Sequence, residues 1–229
     1  MLLLVIDTSG KHGSVALVRA GESSGKNDVE VVETVPLSGG TFSAQLVPQI
    51  AALLETHGFR KTDIGAFIVA SGPGSFTGLR VGLAAIKALA EILQKPIAAV
   101  SLLEVVALAS RKDGCVVAVL DAGRGDIYAG EYDVAGESSQ LRRERLLARA
   151  EFLSGAEGWL VSTPDATLAQ IARDAGLSVF SFDGVSAEMI ARLGWTKLQA
   201  GHTVSPEELE ANYIRRSDAE IFSKPASGS

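Results

Sequence analysis

The chain has 229 residues, 47% of them hydrophobic, and a formal net charge of −6 from 27 acidic and 21 basic residues. This composition is too apolar for a disordered chain and supplies enough hydrophobic side chains for a buried core. The acidic excess argues against strong direct binding to nucleic acid, because the phosphate backbone carries the same charge. The one run of basic residues, Arg142, Arg143, Arg145 and Arg149, is interrupted by Glu144 and is interpreted as a solvated face.

No targeting or membrane segment is indicated. The apolar start, residues 1–6, ends at Asp7 and lacks the length and basic beginning of a signal peptide. No stretch approaches the roughly 18 apolar residues that a membrane span requires. Cys115 is the single cysteine, which excludes an intrachain disulfide, and the apolar run after it predicts a small buried side chain. We expect a cytoplasmic protein without membrane contact.

Residues 1–104 predict an amino-terminal lobe in which three strands precede alternating helices and strands. The period of the apolar residues identifies two of the helices, one starting at Phe42 and one carrying Leu79 and Leu83. The predicted strands are residues 2–6, 14–19, 29–35, 64–70 and 97–100, and residues 101–104 form a capping box that opens a third helix. Such an order predicts a mixed sheet with helices on its faces.

The pattern then starts again. A strand at residues 115–120 ends in Asp121, as the first strand ends in Asp7, and the following strand closes with Ala-Gly-Glu in both halves. A repeat spaced by about half the chain predicts a second lobe, smaller than the first, at residues 105–204. We expect a C-terminal helix or segment at residues 205–222 and a disordered tail at residues 223–229.

The ends of the two matching strands are candidates for a cleft between the lobes. Asp7, Thr8 and Ser9 follow the first strand and Asp121 ends its counterpart, so carboxylates and hydroxyls would face a metal-bound phosphate. The alternative is a local turn in which the same side chains bind neighbouring backbone groups.

The glycine-rich stretch at residues 72–80 lies between a predicted strand and a predicted helix. Gly72, Gly74 and Ser75 would leave free amide groups at a helix start, which is a natural anion site. The stretch lacks the lysine of a P-loop and does not match GxGxxG. Glycines that permit close packing are therefore the favoured interpretation.

No catalytic residues and no metal ligands are predicted. The three histidines, His12, His57 and His202, are far apart, and no nucleophile has a base at a recognisable spacing. The helix after the glycine-rich stretch is apolar nearly all round, so both of its sides require cover, and a partner helix is one way to provide it.

At this point the residues resemble the TsaB (YeaZ) family. The residues that carry the resemblance are 4–9, the Gly-Pro-Gly-Ser-Phe-Thr-Gly-Leu-Arg stretch at 72–80, Asp121-Ala122 with 125–128, and 213–220. The resemblance implies an α/β fold of the duplicated actin-like ATPase or ribonuclease-H-like type, two lobes with mixed sheets. It also implies a role in forming threonylcarbamoyladenosine on tRNA.

In that pathway the resemblance implies a non-catalytic subunit that dimerises with a paralogous TsaD, which holds the metal and transfers the threonylcarbamoyl group. It further implies a TsaE-like ATPase as partner, a homodimer when the chain is alone, tRNA contact only through the complex, and no required cofactor. Any weak ATP or ADP binding would be mainly at the partner. The implied interface residues are Phe42, Leu46, Ile50, Thr77, Leu79, Arg80 and Leu83, and the implied degenerate nucleotide cleft consists of Asp7, Thr8, Ser9, Gly72, Gly74, Ser75 and Asp121.

Two other functions stay open. An ATP-binding enzyme of the actin-like superfamily, such as a small kinase, requires phosphate turns in both lobes, but Asp121 has no Ser or Thr beside it. A peptidase requires a zinc cluster or an activated nucleophile, and the sequence indicates neither.

Overall fold

The computed structural model describes residues 1–23, 26–38 and 40–214. Predictions for residues 215–229, including the disordered tail, lie outside this range. The strands are β1 (Leu2–Asp7), β2 (His12–Ser23), β3 (Lys26–Ser38), β4 (Ile64–Gly72), β5 (Ile97–Ser101), β6 (Gly114–Gly123), β7 (Asp126–Ala135), β8 (Ser138–Ala148), β9 (Leu160–Thr163) and β10 (Ser178–Ser181). The helices are α1 (Phe42–Thr56), α2 (Phe76–Leu93), α3 (Leu102–Ala109), α4 (Arg149–Gly155), α5 (Ala166–Asp174) and α6 (Ala187–Gln199).

The two halves of the chain have the same topology. The first sheet has the order β3-β2-β1-β4-β5, and the second has the equivalent order β8-β7-β6-β9-β10. In each sheet the central strand is antiparallel to the strand that follows it and parallel to the fourth strand. The predicted duplicated α/β fold is confirmed.

The alternation of side chains along β1 explains why helices cover both faces of the first sheet. Leu2, Leu4 and Ile6 join the core beneath α1 and α2, whereas Leu3 and Val5 join the core on the opposite face. A strand covered on both faces is apolar at successive positions, and this is the pattern of residues 2–6.

The last helix of each half packs against the first sheet, and α3 also contacts the second. Helix α6 packs on the first sheet, although it follows the strands of the second. Helix α3 places Leu102 and Val105 in the core of the first sheet and Leu103 and Val106 in that of the second. The lobe boundaries at residues 104 and 204 stay predictions.

Five local features differ from expectation. Strand β8 and helix α4 have no counterpart among the predicted elements, and residues 205–209 form one hydrogen-bonded turn instead of a helix. Ser101 lies at the start of α3, but its hydroxyl does not cap that helix. Cys115 is exposed, because burial in β6 begins one residue later.

Three residues of the basic run, Arg142, Arg143 and Arg145, lie on the edge strand β8, and Arg149 begins α4. Arg142 and Arg143 pair with Asp133 and Glu131 of the neighbouring strand. No helix in the part of the chain that the structure describes is long and apolar enough to cross a membrane.

Candidate functional site

A cleft of about 800 Å³ lies where the two central strands, β1 and β6, end. Its wall consists of residues 9–11, 74–76, 121–124 and 212–214, together with Tyr128. Four of the predicted cleft residues line it: Ser9, Gly74, Ser75 and Asp121. Asp7, Thr8 and Gly72 are absent from the wall and have structural contacts behind it.

The carboxylate of Asp7 is used by the local turn. Its Oδ1 accepts hydrogen bonds from the Ser9 amide at 2.8 Å and from the Ser9 hydroxyl at 2.6 Å. Burial raises the pKa of Asp7, and the hydrogen bonds from Ser9 oppose that rise. These contacts are those of a local turn that satisfies backbone donors.

Contacts with Thr8 explain why α2 has glycine at positions 78 and 82. Its hydroxyl donates to the carbonyl of Gly78 at 2.7 Å. A Cβ atom at Gly78 would overlap the Thr8 carbonyl oxygen, and one at Gly82 would overlap the Thr8 hydroxyl. The two glycines therefore let α2 lie directly on the end of β1.

The glycine-rich loop also packs directly on the end of β1, through contacts with Ser9. The Ser75 amide donates to the carbonyl of Ser9 at 2.6 Å, and a Cβ atom at Gly74 would overlap that carbonyl group. The Ser75 hydroxyl accepts from the Gly78 amide at 3.3 Å and caps α2. The Ser75 and Gly78 amides, two of the groups that could bind an anion at this helix start, are thus bound within the chain.

Two groups on this side of the cleft that a metal-bound nucleotide would use already have partners within the chain. The phosphates of the nucleotide would have to displace the contact between Ser9 and Ser75, and Asp7 already binds the turn. Within residues 1–23, 26–38 and 40–214, no group of three His, Cys, Asp or Glu side chains is placed to hold a metal ion.

The implied interface residues divide into two sets. Phe42, Leu46, Ile50, Leu79 and Leu83 are buried within this chain, with exposed fractions of 1 to 6%. They form the side of α1 and α2 that covers the first sheet, so they are not available to a partner. Thr77 and Arg80 are exposed, as an interface requires.

The opposite side of α1 and α2 is exposed and carries mostly apolar residues, with the charged Glu55, Arg80 and Glu91 at the same helical spacing. We call this surface the outer face; its residues are Ala44, Val47, Pro48 and Ala51 of α1 and Thr77, Ala84, Ala88 and Ile92 of α2. Val47 is 59% exposed and Ile92 is 71% exposed, which makes them two of the most exposed large apolar side chains. The part of this face on α2, where Ala84 and Ala88 are one turn apart, was indicated by the sequence, because that helix is apolar nearly all round.

A stacked cluster joins the outer face to the cleft. The Arg80 guanidinium lies 3.8 Å from the centre of the Phe76 ring, and the Phe76 and Tyr213 ring centres are 5.0 Å apart. Arg80 Nε also donates to the Tyr213 hydroxyl at 3.3 Å. Phe76 and Tyr213 also line the cleft. Their contact therefore links the start of α2 to the C-terminal segment.

Two lobes of identical topology around a cleft define the actin-like, ribonuclease-H-like class. Within this class, residues 37–220 match the family described as TsaD, tRNA N6-adenosine threonylcarbamoyltransferase. The chain is 31% identical over 232 residues to the tRNA threonylcarbamoyladenosine biosynthesis protein TsaB of Escherichia coli, covering 96% of each chain. The protein of the same name from Bacillus subtilis is 36% identical over 133 residues, which cover 58% of this chain and 55% of that protein.

A crystal structure of a Pseudomonas aeruginosa protein, described as similar to peptidase YeaZ, superimposes with a TM-score of 0.69 at 25% identity. The match covers 93% of this chain and 99% of that one. The chain belongs to the TsaB (YeaZ) family. The resemblance read from the sequence motifs is confirmed.

Proposed function

We propose that this chain is a non-catalytic subunit required for forming threonylcarbamoyladenosine on a tRNA adenosine. It acts by pairing with a TsaD-like transferase and activating it. The relatives named as tRNA threonylcarbamoyladenosine biosynthesis proteins support the pathway. The match to the transferase family supports a partner with the same fold.

The outer face is the observation that carries the pairing. Exposed side chains as apolar as Val47 and Ile92 favour contact with another protein when they occur on one surface. The alanines Ala44, Ala51, Ala84 and Ala88 keep this face flat, so that helices of a partner can approach closely. A paralogue would present an equivalent helix pair, and a second copy of this chain would do so in its absence.

The cleft supports the non-catalytic role. An ATP-binding enzyme of the actin-like superfamily is the rival, and the cleft of about 800 Å³ is the feature that favours it. The bond from the Ser75 amide to the Ser9 carbonyl and the bonds from Ser9 to the Asp7 carboxylate oppose it, because they occupy groups that a nucleotide would need. The TsaE-like ATPase and the tRNA are then reached through the transferase, and this acidic chain needs no RNA surface of its own.

The pairing is tested by placing a charge on the outer face. Ala88→Glu and Val47→Glu alter exposed positions, so both variants should fold. Each should weaken binding to the TsaD-like partner by about tenfold or more, because an unpaired carboxylate would be buried on association. The matched control is Ala166→Glu, an exposed position in the first turn of α5.

Binding is measured by isothermal titration calorimetry with the purified partner. We expect the control to bind within about twofold of the parent, since a surface substitution away from an interface has little effect. Equal affinity of all three variants would refute the outer face as the pairing surface.

A further inference from the structure

Glu144 joins three parts of the chain through one carboxylate. Its Oε1 accepts hydrogen bonds from the Tyr132 hydroxyl at 2.6 Å and from the Ser101 hydroxyl at 2.9 Å. Its Oε2 accepts from the side-chain amide of Asn212 at 2.5 Å. Glu144 lies in β8 of the second sheet, whereas Ser101 ends β5 of the first.

Residues 209–214, which we call the strap, are bound to the first lobe on their other side. The backbone amide of Asn212 donates to the backbone carbonyl of Ser71 at 2.7 Å, next to the glycine-rich loop. Leu209 is 1% exposed and belongs to the core beneath α1 and α2. Tyr213 packs on Phe76 at the start of α2. The strap therefore rests on the first lobe and reaches Glu144 of the second through Asn212.

The Ser101 hydroxyl is directed at the second lobe and not at its own helix. Ser is a favoured residue at the position before a helix, where its oxygen accepts from a backbone amide. Ser101 occupies this position at α3 without making that bond. Its hydroxyl points to Glu144 and donates to that carboxylate across the two sheets.

We propose that Glu144 is a positioning residue that latches the strap and holds the two lobes in one closed arrangement. Hydrogen bonds to an ionised carboxylate are about twice as strong as those between neutral groups. Separation of the lobes would break the bonds of Glu144 to Ser101 and Asn212 and would move residues 212–214, which rest on the first lobe, away from the cleft wall of the second lobe at residues 121–124. The inference does not depend on the proposed partner or pathway.

The hydrogen bond between Asn212 and Glu144 is tested by exchanging its donor and acceptor between the two side chains. Asn212→Asp places a second carboxylate against Glu144, and the two acceptors repel each other. Adding Glu144→Gln supplies an amide that donates to the new aspartate, so the double variant restores one hydrogen bond with the roles reversed. Glu144→Gln alone keeps an acceptor but loses the charge. Glu137→Gln, at an exposed position next to β8, is the matched control.

The readout is the protection factor of the backbone amide of residue 212 in native-state hydrogen exchange, measured on the full chain. We expect Asn212→Asp to lower it about tenfold or more, which corresponds to about 1.4 kcal/mol. We expect a drop of about threefold for Glu144→Gln alone, no change for the control, and recovery to within about threefold of the parent in the double variant.

Recovery in the double variant is a result that a merely structural role of either residue would not produce. Unchanged protection in Asn212→Asp would overturn the proposal, and so would additive losses in the double variant. If Glu144→Gln prevents folding, Asn212→Ala decides the matter, because it alters only the strap. That variant should also lose about tenfold protection, and full protection would overturn the latch.

Discussion

Substituting Gly78 by alanine tests whether the glycines of α2 serve packing. In an exposed helix interior, a change from glycine to alanine stabilises by about 1 kcal/mol through backbone entropy. At Gly78 the new methyl group would overlap the backbone carbonyl of Thr8, which cannot rotate away. A shift of α2 that relieved this overlap would stretch the hydrogen bond from the Thr8 hydroxyl to the Gly78 carbonyl.

Overpacking of this kind costs about 1–3 kcal/mol. Because the overlapped atom belongs to the backbone, we take the upper end, about 3 kcal/mol, and subtract the gain in helix propensity of about 1 kcal/mol. The expected net destabilisation is about 2 kcal/mol. For a chain of this size that lowers Tm by about 4–8 °C.

The assay is urea unfolding followed by circular dichroism, with Tm from calorimetry as a second measure. Gly155→Ala is the matched control, since it alters the last residue of α4 and a Cβ atom there would meet nothing within 4 Å. We expect the control to match or exceed the stability of the parent.

A graded variant separates backbone from side-chain overlap. Gly82→Ala would overlap the Thr8 hydroxyl, so combining it with Thr8→Ala should recover part of the lost stability, whereas Gly78→Ala should gain nothing from that combination. If Gly78→Ala is as stable as the Gly155→Ala control, the packing explanation of the glycine-rich stretch is wrong.

Three further predictions concern titratable groups. Burial, followed by the Glu144 charge, raises the pKa of Tyr132 far above its usual 10.0. The free energy of unfolding should therefore fall as pH rises above 10, and it should fall less in Tyr132→Phe. Urea unfolding at alkaline pH measures both. Burial raises the pKa of Asp7 above 3.8, so the ionised carboxylate lowers the stability of the folded chain at neutral pH. Asp7→Asn should therefore raise the free energy of unfolding more at neutral pH than below pH 3.8, as urea unfolding at both pH values would show. A larger gain in acid would contradict this. The exposed Cys115 thiol should react with Ellman's reagent in the native chain within about tenfold of its rate in denaturant, and a fully protected thiol would disprove its exposure.

The sequence predicted the fold well where side-chain periodicity was strong. The apolar run of β1 and the Asp7 and Asp121 strand ends predicted the duplicated lobes. Strand β8 was missed because an edge strand rich in Arg and Glu has little apolar alternation, and α4 because its seven residues bury only Phe152.

The candidate site was predicted only in part, for a different reason. Spacing identified the buried side of α1, including Leu46 and Ile50, but it does not tell whether a buried side faces its own sheet or another subunit. The exposed Val47 carries no such signal as a single residue. The role of Glu144 depends on contacts with residues 43 and 68 positions away along the chain. No local pattern contains them.

The most direct test of the central claim is the threonylcarbamoyladenosine content of tRNA, measured by nucleoside mass spectrometry after reaction with a threonylcarbamoyl donor, ATP, the TsaD-like partner and the TsaE-like ATPase. We predict abundant modified nucleoside with the parent chain and with Ala166→Glu, and almost none with Ala88→Glu or without the chain. Full modification by Ala88→Glu, in a mixture where it forms no complex with the transferase, would contradict an activating role through the outer face.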